Sequence, residues 1–139
     1  MNNNLFPKGH IYEDVYVIPT LILKTKKIVF INEYLYNYVY RKNSIKNTEN
    51  KIEDRIYAMN NVYHKLNNLY KDEVEYLYIQ NLLITSLDEE LRNHCKHNIK
   101  GINKIVKENY PKYYKNKYIR EKNVFKKIYI LLIYYNFTF

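Results

Sequence analysis

The run IEDRIYAMNNVYHKLNNLY at residues 52–70, followed by DEVEYLYIQNLLITSLDEEL at residues 72–91, decides the fold class of this chain. Along the first, Ile52, Ile56, Met59, Tyr63, Leu66 and Tyr70 recur at helical spacing and make one apolar stripe. Thr48 stands where a helix cap belongs. Asp72 with Glu75 three residues on resembles a capping box, and Val74, Leu77, Asn81, Ile84, Leu87 and Leu91 supply the inner face of a second helix. Two long amphipathic helices joined by a few residues should pack as an antiparallel hairpin.

Downstream, Ile99, Ile102, Ile105 and Val106 mark a shorter helix that stops before Tyr110-Pro111, because proline cannot continue it. The tail from Lys112 to Phe139 opens basic and closes apolar. Lys112, Lys115, Lys117, Arg120, Lys122, Lys126 and Lys127 precede the apolar run Ile128 to Tyr135. A basic stretch beside an apolar, Tyr-rich helix suits peripheral contact with an anionic membrane surface. It equally suits a core helix packed on the hairpin. The run is too short to cross a bilayer.

Upstream of the hairpin, Pro7 and Gly9 punctuate a loop entry. From Glu13 to about Lys24, Val15, Ile18, Leu21 and Ile22 recur at helical spacing. Glu13 and Asp14 sit where carboxylates are favoured, beside the unpaired N–H groups of a first turn. Pro19 is late for a first-turn proline, so the helix starts nearer Ile18 or bends there. Lys27 to Asn32 is β-branched and aromatic, the pattern of a short buried strand. Tyr34, Tyr36, Tyr38 and Tyr40 alternate with Leu35, Asn37 and Val39, the period of a second strand. Asn43 to Asn50 is a polar connection.

With 139 residues the chain has room for one domain and a real core. Two glycines and three prolines argue against a linker or a turn-rich all-β fold. The formal charge of +9 suits nucleic acid, an anionic membrane or phosphorylated substrates, and equally a solvated lysine surface. One cysteine, Cys95, permits no internal disulfide and suits a reducing compartment. Met1-Asn2-Asn3-Asn4 lacks the basic start and apolar core of a signal peptide. The expected location is cytoplasmic, at or near the inner membrane face.

One segment carries a family resemblance. Glu13-Asp14, Ile18-Pro19-Thr20-Leu21-Ile22-Leu23, Lys26-Lys27-Ile28, Leu35-Tyr36-Asn37-Tyr38 and Arg41-Lys42-Asn43-Ser44-Ile45 follow one another in order. In that order and spacing, Gly9 through Ile45 resembles the acceptor-side segment of bacterial family 2 glycosyltransferases. Asn116-Lys117-Tyr118-Ile119 and Lys126-Lys127-Ile128-Tyr129 are similar to their C-terminal ends, less specifically.

The resemblance implies inverting sugar transfer from a nucleotide-diphosphate sugar to a glycan or lipid-linked acceptor, on a GT-A scaffold. By it, Asp14 takes the acceptor hydroxyl's proton, and Glu13 orients the acceptor or raises the proton affinity of Asp14. Arg41 and Ser44 face the diphosphate, and His10 and Tyr12 line the acceptor mouth. By residue chemistry alone, Glu13-Asp14 is also an ordinary helix N-terminus, and the tyrosines are packed strand aromatics as readily as sugar platforms.

The family's nucleotide-binding half, with its Asp-x-Asp metal motif, is not in this sequence. The expected fold class is therefore α+β and mainly α-helical, the C-terminal fragment of a GT-A-like domain: a short helix, two short strands, a helical hairpin and terminal helices. Residues 1–46 form the acceptor-side end of the catalytic domain and 47–139 a helical C-terminal region. A truncated product, a split gene and an internal start all fit.

No cofactor is expected in this fragment, whereas Mg or Mn is expected in the full-length enzyme. Nucleotide sugar and acceptor become partners only with the missing half, and the chain alone should be inactive. His94, Cys95 and His97 lie close together, but no second ligand pair accompanies them, and ordinary helix-end residues account for them. The competing function is a non-enzymatic basic module that binds an anionic membrane surface or nucleic acid. Interleaved Lys and Tyr permit the nucleic-acid version, but no recognised motif supports it.

Overall fold

The hairpin is present, and it is the body on which everything else rests. The computed structural model describes residues 6–37, 39, 52–93 and 98–136, and among them the chain is mainly helical. In order these are α1 (Glu13–Lys24), α2 (Ile52–Leu66), α3 (Lys71–Tyr78), a π-helical turn (Ile79–Ile84), α4 (Thr85–Asn93) and α5 (Ile99–Asn109). A 3-10 turn (Tyr113–Lys115), α6 (Lys117–Arg120) and α7 (Val124–Tyr134) follow. Thr48 lies outside the described residues.

Helix α2 runs antiparallel to the continuous rod made by α3, the π turn and α4. Arg55 near its start reaches Ser86, while Asn60, further along, accepts a hydrogen bond from Tyr78. The buried line of α2 is Arg55, Ala58, Met59, Val62 and Leu66, which turns the true inner face slightly away from Ile56 and Tyr63. In the rod the shift is larger. Val74, Tyr78, Ile79, Leu82, Leu83 and Ser86 are buried, whereas Leu77 and Asn81 are half-buried. Beyond Tyr78 the π turn accounts for the shift: Thr85 bonds back five residues to Gln80, so one extra residue enters the turn and the inward face advances.

The capping box does not form. Helix α3 begins at Lys71, with Val74 N–H on the Tyr70 carbonyl and no side-chain cap. Asp72 and Glu75 therefore lie inside the helix. Glu75 accepts from the Asn116 amide at 2.8 Å, and the Asp72 carbonyl accepts from the same amide. Asn116 is a distant residue, so a tertiary hydrogen bond has taken the place of a local one.

One core joins α2, the rod, α5 and the C-terminal elements. Met59, Val62, Leu82, Val106, Ile119 and Ile133 are among its members. Tyr63, Tyr78 and Tyr110 meet edge to face, with centroids 5.5 to 6.1 Å apart, an arrangement that favours aromatic quadrupoles. Asn103, buried on α5, donates to the Ile133 carbonyl at 2.6 Å and accepts from the Tyr113 hydroxyl at 2.9 Å. Helix α5 ends at Asn109 as its pattern predicts, with Tyr110 N–H on the Val106 carbonyl.

The N-terminal third departs from expectation. Helix α1 begins at Glu13 and carries Pro19 inside it, packing Val17 against α2. Neither strand is found among the described residues. Lys27 to Asn32 and Glu33 to Asn37 carry neither helix nor strand, and Ile28, Val29, Phe30, Leu35 and Tyr36 stand in solvent, Phe30 at 86 % of its full exposure. A strand exists only when a neighbour accepts its ladder hydrogen bonds, and no described segment does so here. Tyr38 and Tyr40 lie outside the described residues, as do Arg41 and Ser44.

Candidate functional site

The approach to α1 is shaped by two left-handed residues, Gly9 at φ 81° and Tyr12 at φ 63°. A tyrosine in this region of backbone space is disfavoured unless its surroundings hold it. They do. The Tyr12 hydroxyl accepts from Arg55 Nη2 at 2.6 Å, and the guanidinium carbon lies 4.6 Å from the Tyr12 ring centroid.

Arg55 is the anchor. It is 1 % exposed, and its fork also donates to Glu89 Oε1 at 2.6 Å, to Ser86 Oγ at 3.1 Å and to the Asn81 carbonyl at 3.3 Å. A buried guanidinium is tolerable only when opposite charge and several acceptors replace its water. The π turn and the start of α4 provide that set.

One residue before Arg55, Asp54 grips the preceding loop. His10 Nδ1 is 2.7 Å from Asp54 Oδ1, and Ile11 N–H donates to Asp54 Oδ2 at 3.2 Å. The His10 ring stacks on Tyr57 at 4.3 Å, and Tyr57 stacks on Tyr16 at 5.4 Å. Tyr16 also pushes the Tyr57 hydroxyl above the usual phenol range, first by hydrogen bonding and then by charge. Asn61 completes the seam with a 2.9 Å bond to the Tyr16 carbonyl.

Residues 10–16 are thus fastened along one side to α2. On the other side, Glu13 and Asp14 are exposed in the first turn of α1, where no side chain caps the helix. Asp14 Oδ1 accepts from Val15 N–H at 2.8 Å. Two carboxylates at a helix N-terminus are electrostatically favoured. The backbone behind them is anchored, and the two side chains stand in water, where a carboxylate can accept a proton or orient a hydroxyl.

Of the residues proposed from sequence, the structure brings His10, Tyr12, Glu13 and Asp14 into one turn. Arg41, Ser44, His94, Cys95 and His97 lie outside the described residues. Asp54, Arg55, Tyr57 and Glu89 were missed. A signal for Arg55 existed: Ile52, Arg55, Met59, Val62 and Leu66 follow a three-four spacing, and a charge at such a position is an inward charge.

A cavity of about 410 Å³ lies elsewhere, lined by Ile84, Asp88, Phe125, Lys126, Tyr129 and Ile130, and no residue of the Gly9–Asp14 turn borders it. Among the described residues, no group of three or more His, Cys, Asp or Glu side chains could hold a metal ion. The divalent cation implied by the resemblance thus finds no ligand set there, and no step below runs through one. No described helix is long and apolar enough to cross a membrane. Comparison with family models, curated proteins and solved structures finds no match for this chain.

Proposed function

We propose that this chain is the acceptor-side and C-terminal portion of a family 2 glycosyltransferase, with Asp14 as the group that takes the proton from the acceptor hydroxyl. The observation that carries the proposal is the exposed Glu13-Asp14 pair, presented on a turn fastened from behind by Tyr12–Arg55 and His10–Asp54. Sugar hydroxyls are weak nucleophiles until a base accepts their proton during attack, and a positioned carboxylate does this across one hydrogen bond. Glu13 orients the acceptor beside it. Arg41 and Ser44 take the leaving diphosphate, where a guanidinium fork and a hydroxyl match phosphate oxygens.

The uncovered apolar segment supports the same reading. Ile28, Val29, Phe30 and Ile31 are exposed in succession, so both faces of that stretch are apolar. Such a pattern belongs to a strand covered on both sides. In the complete catalytic domain, residues 27–32 and 34–40 are strands completed by the donor-binding half of a GT-A fold. That half holds the nucleotide sugar and the Mg or Mn ion.

Two measurements test this. The purified chain, incubated with nucleotide-diphosphate sugars and Mg or Mn, should show no turnover, and robust turnover would show that the second half is dispensable. Combined with a donor-binding half carrying an Asp-x-Asp motif, the chain should support transfer, and Asp14→Asn should abolish it while donor binding persists. Retained transfer by Asp14→Asn would remove the proposed base.

A further inference from the structure

The last helix faces the wrong way for a soluble surface. Val124, Ile128, Leu131 and Tyr135 recur at i, i+4, i+7 and i+11, which places them within about 60° of one another around the α7 axis. All four are exposed, Ile128 at 50 %, and Phe125 beside them is 83 % exposed. The opposite side of α7 buries Ile130 and Ile133 in the core.

Rotation cannot hide this stripe. Asn103 holds the Ile133 carbonyl at 2.6 Å, Lys107 Nζ holds the Tyr134 carbonyl at 2.5 Å, and the Tyr134 hydroxyl donates to the Pro111 carbonyl at 3.0 Å. The helix is bolted with one apolar face inward and a second apolar face outward. An outward face of this kind needs a partner that is itself apolar.

We infer that the exposed face of α7 docks on an anionic lipid surface. Charge selects this occupant. Residues 112–136 contain seven basic side chains and one acidic one, Glu121, and α7 itself has two lysines and no acid. Lys127, three residues after Val124 and four before Leu131, lies on the edge of the stripe, and Arg120 and Lys122 stand just before the helix. Lys126 lies on the far side, where it lines the cavity beside Asp88. An apolar stripe with Lys127 on its edge, cations just before it and the exposed Tyr135 at its end matches the layered chemistry of acyl chains beneath negative headgroups.

A second copy of the chain fits less well. Paired α7 faces would bring like-charged lysines together, and an eleven-residue helix about 16 Å long is small against the ~800 Å² per partner of a stable dimer. Nucleic acid would leave the apolar stripe uncovered. Lipid docking does not depend on the catalytic role of Asp14 and goes beyond it.

The test is co-sedimentation of the full chain with vesicles of mixed phosphatidylglycerol and phosphatidylcholine, beside vesicles of phosphatidylcholine alone. Binding should require the anionic lipid and weaken with salt. Lys127→Gln should lower partitioning about fivefold. Phe125→Asp and Ile128→Asp should lower it about tenfold or more, with helical circular dichroism unchanged. Phe125→Ser serves as a second variant, because so exposed a ring contributes little to folding. Equal binding to neutral vesicles, no binding, or full binding by the Phe125 variants would overturn the inference. So would a concentration-dependent dimer dispersed by Ile128→Asp, which would identify a second copy as the occupant.

Discussion

Arg55 holds Tyr12 twice, by a 2.6 Å hydrogen bond to its hydroxyl and by a guanidinium 4.6 Å from the centre of its ring. The pair ties α2, deep in the hairpin, to the left-handed residue that launches α1. It is how a buried charge in the helical body positions two exposed carboxylates on its surface.

Replacing Arg55 by Met should therefore be severe. The Glu89 carboxylate loses the cation 2.6 Å away, and stability should fall by about 3–5 kcal/mol. Lysine should not rescue it, since a single ammonium cannot reproduce the fork to Tyr12, Glu89 and Ser86. Tyr12→Phe should cost only about 1 kcal/mol, because the fork keeps its other acceptors. Urea denaturation followed by circular dichroism ranks the three.

Asp14→Asn should barely disturb folding. The side chain is exposed, and the carboxylate's favourable position at a helix N-terminus is worth about 0.3–1 kcal/mol. A shift in the denaturation midpoint beyond that range would mean that Asp14 serves the fold. Any loss of transfer could then not be assigned to chemistry.

Asn103→Ala should cost about 1–3 kcal/mol, because it strands the buried Tyr113 hydroxyl and the Ile133 carbonyl together. Tyr113→Phe should cost less. The double variant should be less destabilised than the sum of the two, since both remove the same contact. Thermal melts of the four proteins close the cycle.

Alkaline pH should unfold the protein in a defined window. Burial pushes Tyr78 up to about 12, and burial pushes Tyr110 and Tyr113 higher still, with charge from neighbouring tyrosines adding to each. Above pH ~10 the unfolded chain releases these protons while the folded chain keeps them. The native state then binds more protons, so stability falls as pH rises through 10 towards 12. Helical circular dichroism and tyrosinate absorbance should change together there. Full ionisation of all 18 tyrosines with the helices intact would contradict this.

Helix identity was legible where the signal is local. The Ile99 to Val106 pattern became a helix, and the stripe from Ile52 to Tyr70 did so as far as Leu66, because apolar side chains three and four apart share a face whatever lies opposite. Tyr70 falls outside α2, exposed at the start of α3. Asn81 shows the limit. A uniform period places it on the inner face, and the π turn beginning two residues earlier shifts that face to Leu82 and Leu83. The candidate site was half legible. Glu13 and Asp14 stood out as an acidic pair, but Asp54 and Arg55 read as ordinary first-turn charges of α2.

Spacing within single segments was enough to show that the described chain is mainly helical, where α5 stops, and that an acidic pair opens α1. That Arg55 turns inward, that Glu75 pairs with Asn116 instead of capping α3, and that Lys27 to Asn32 has no ladder among the described residues became visible only in the folded molecule. Those outcomes are relations between segments far apart in the chain, and their energies exist only once the partner is in place.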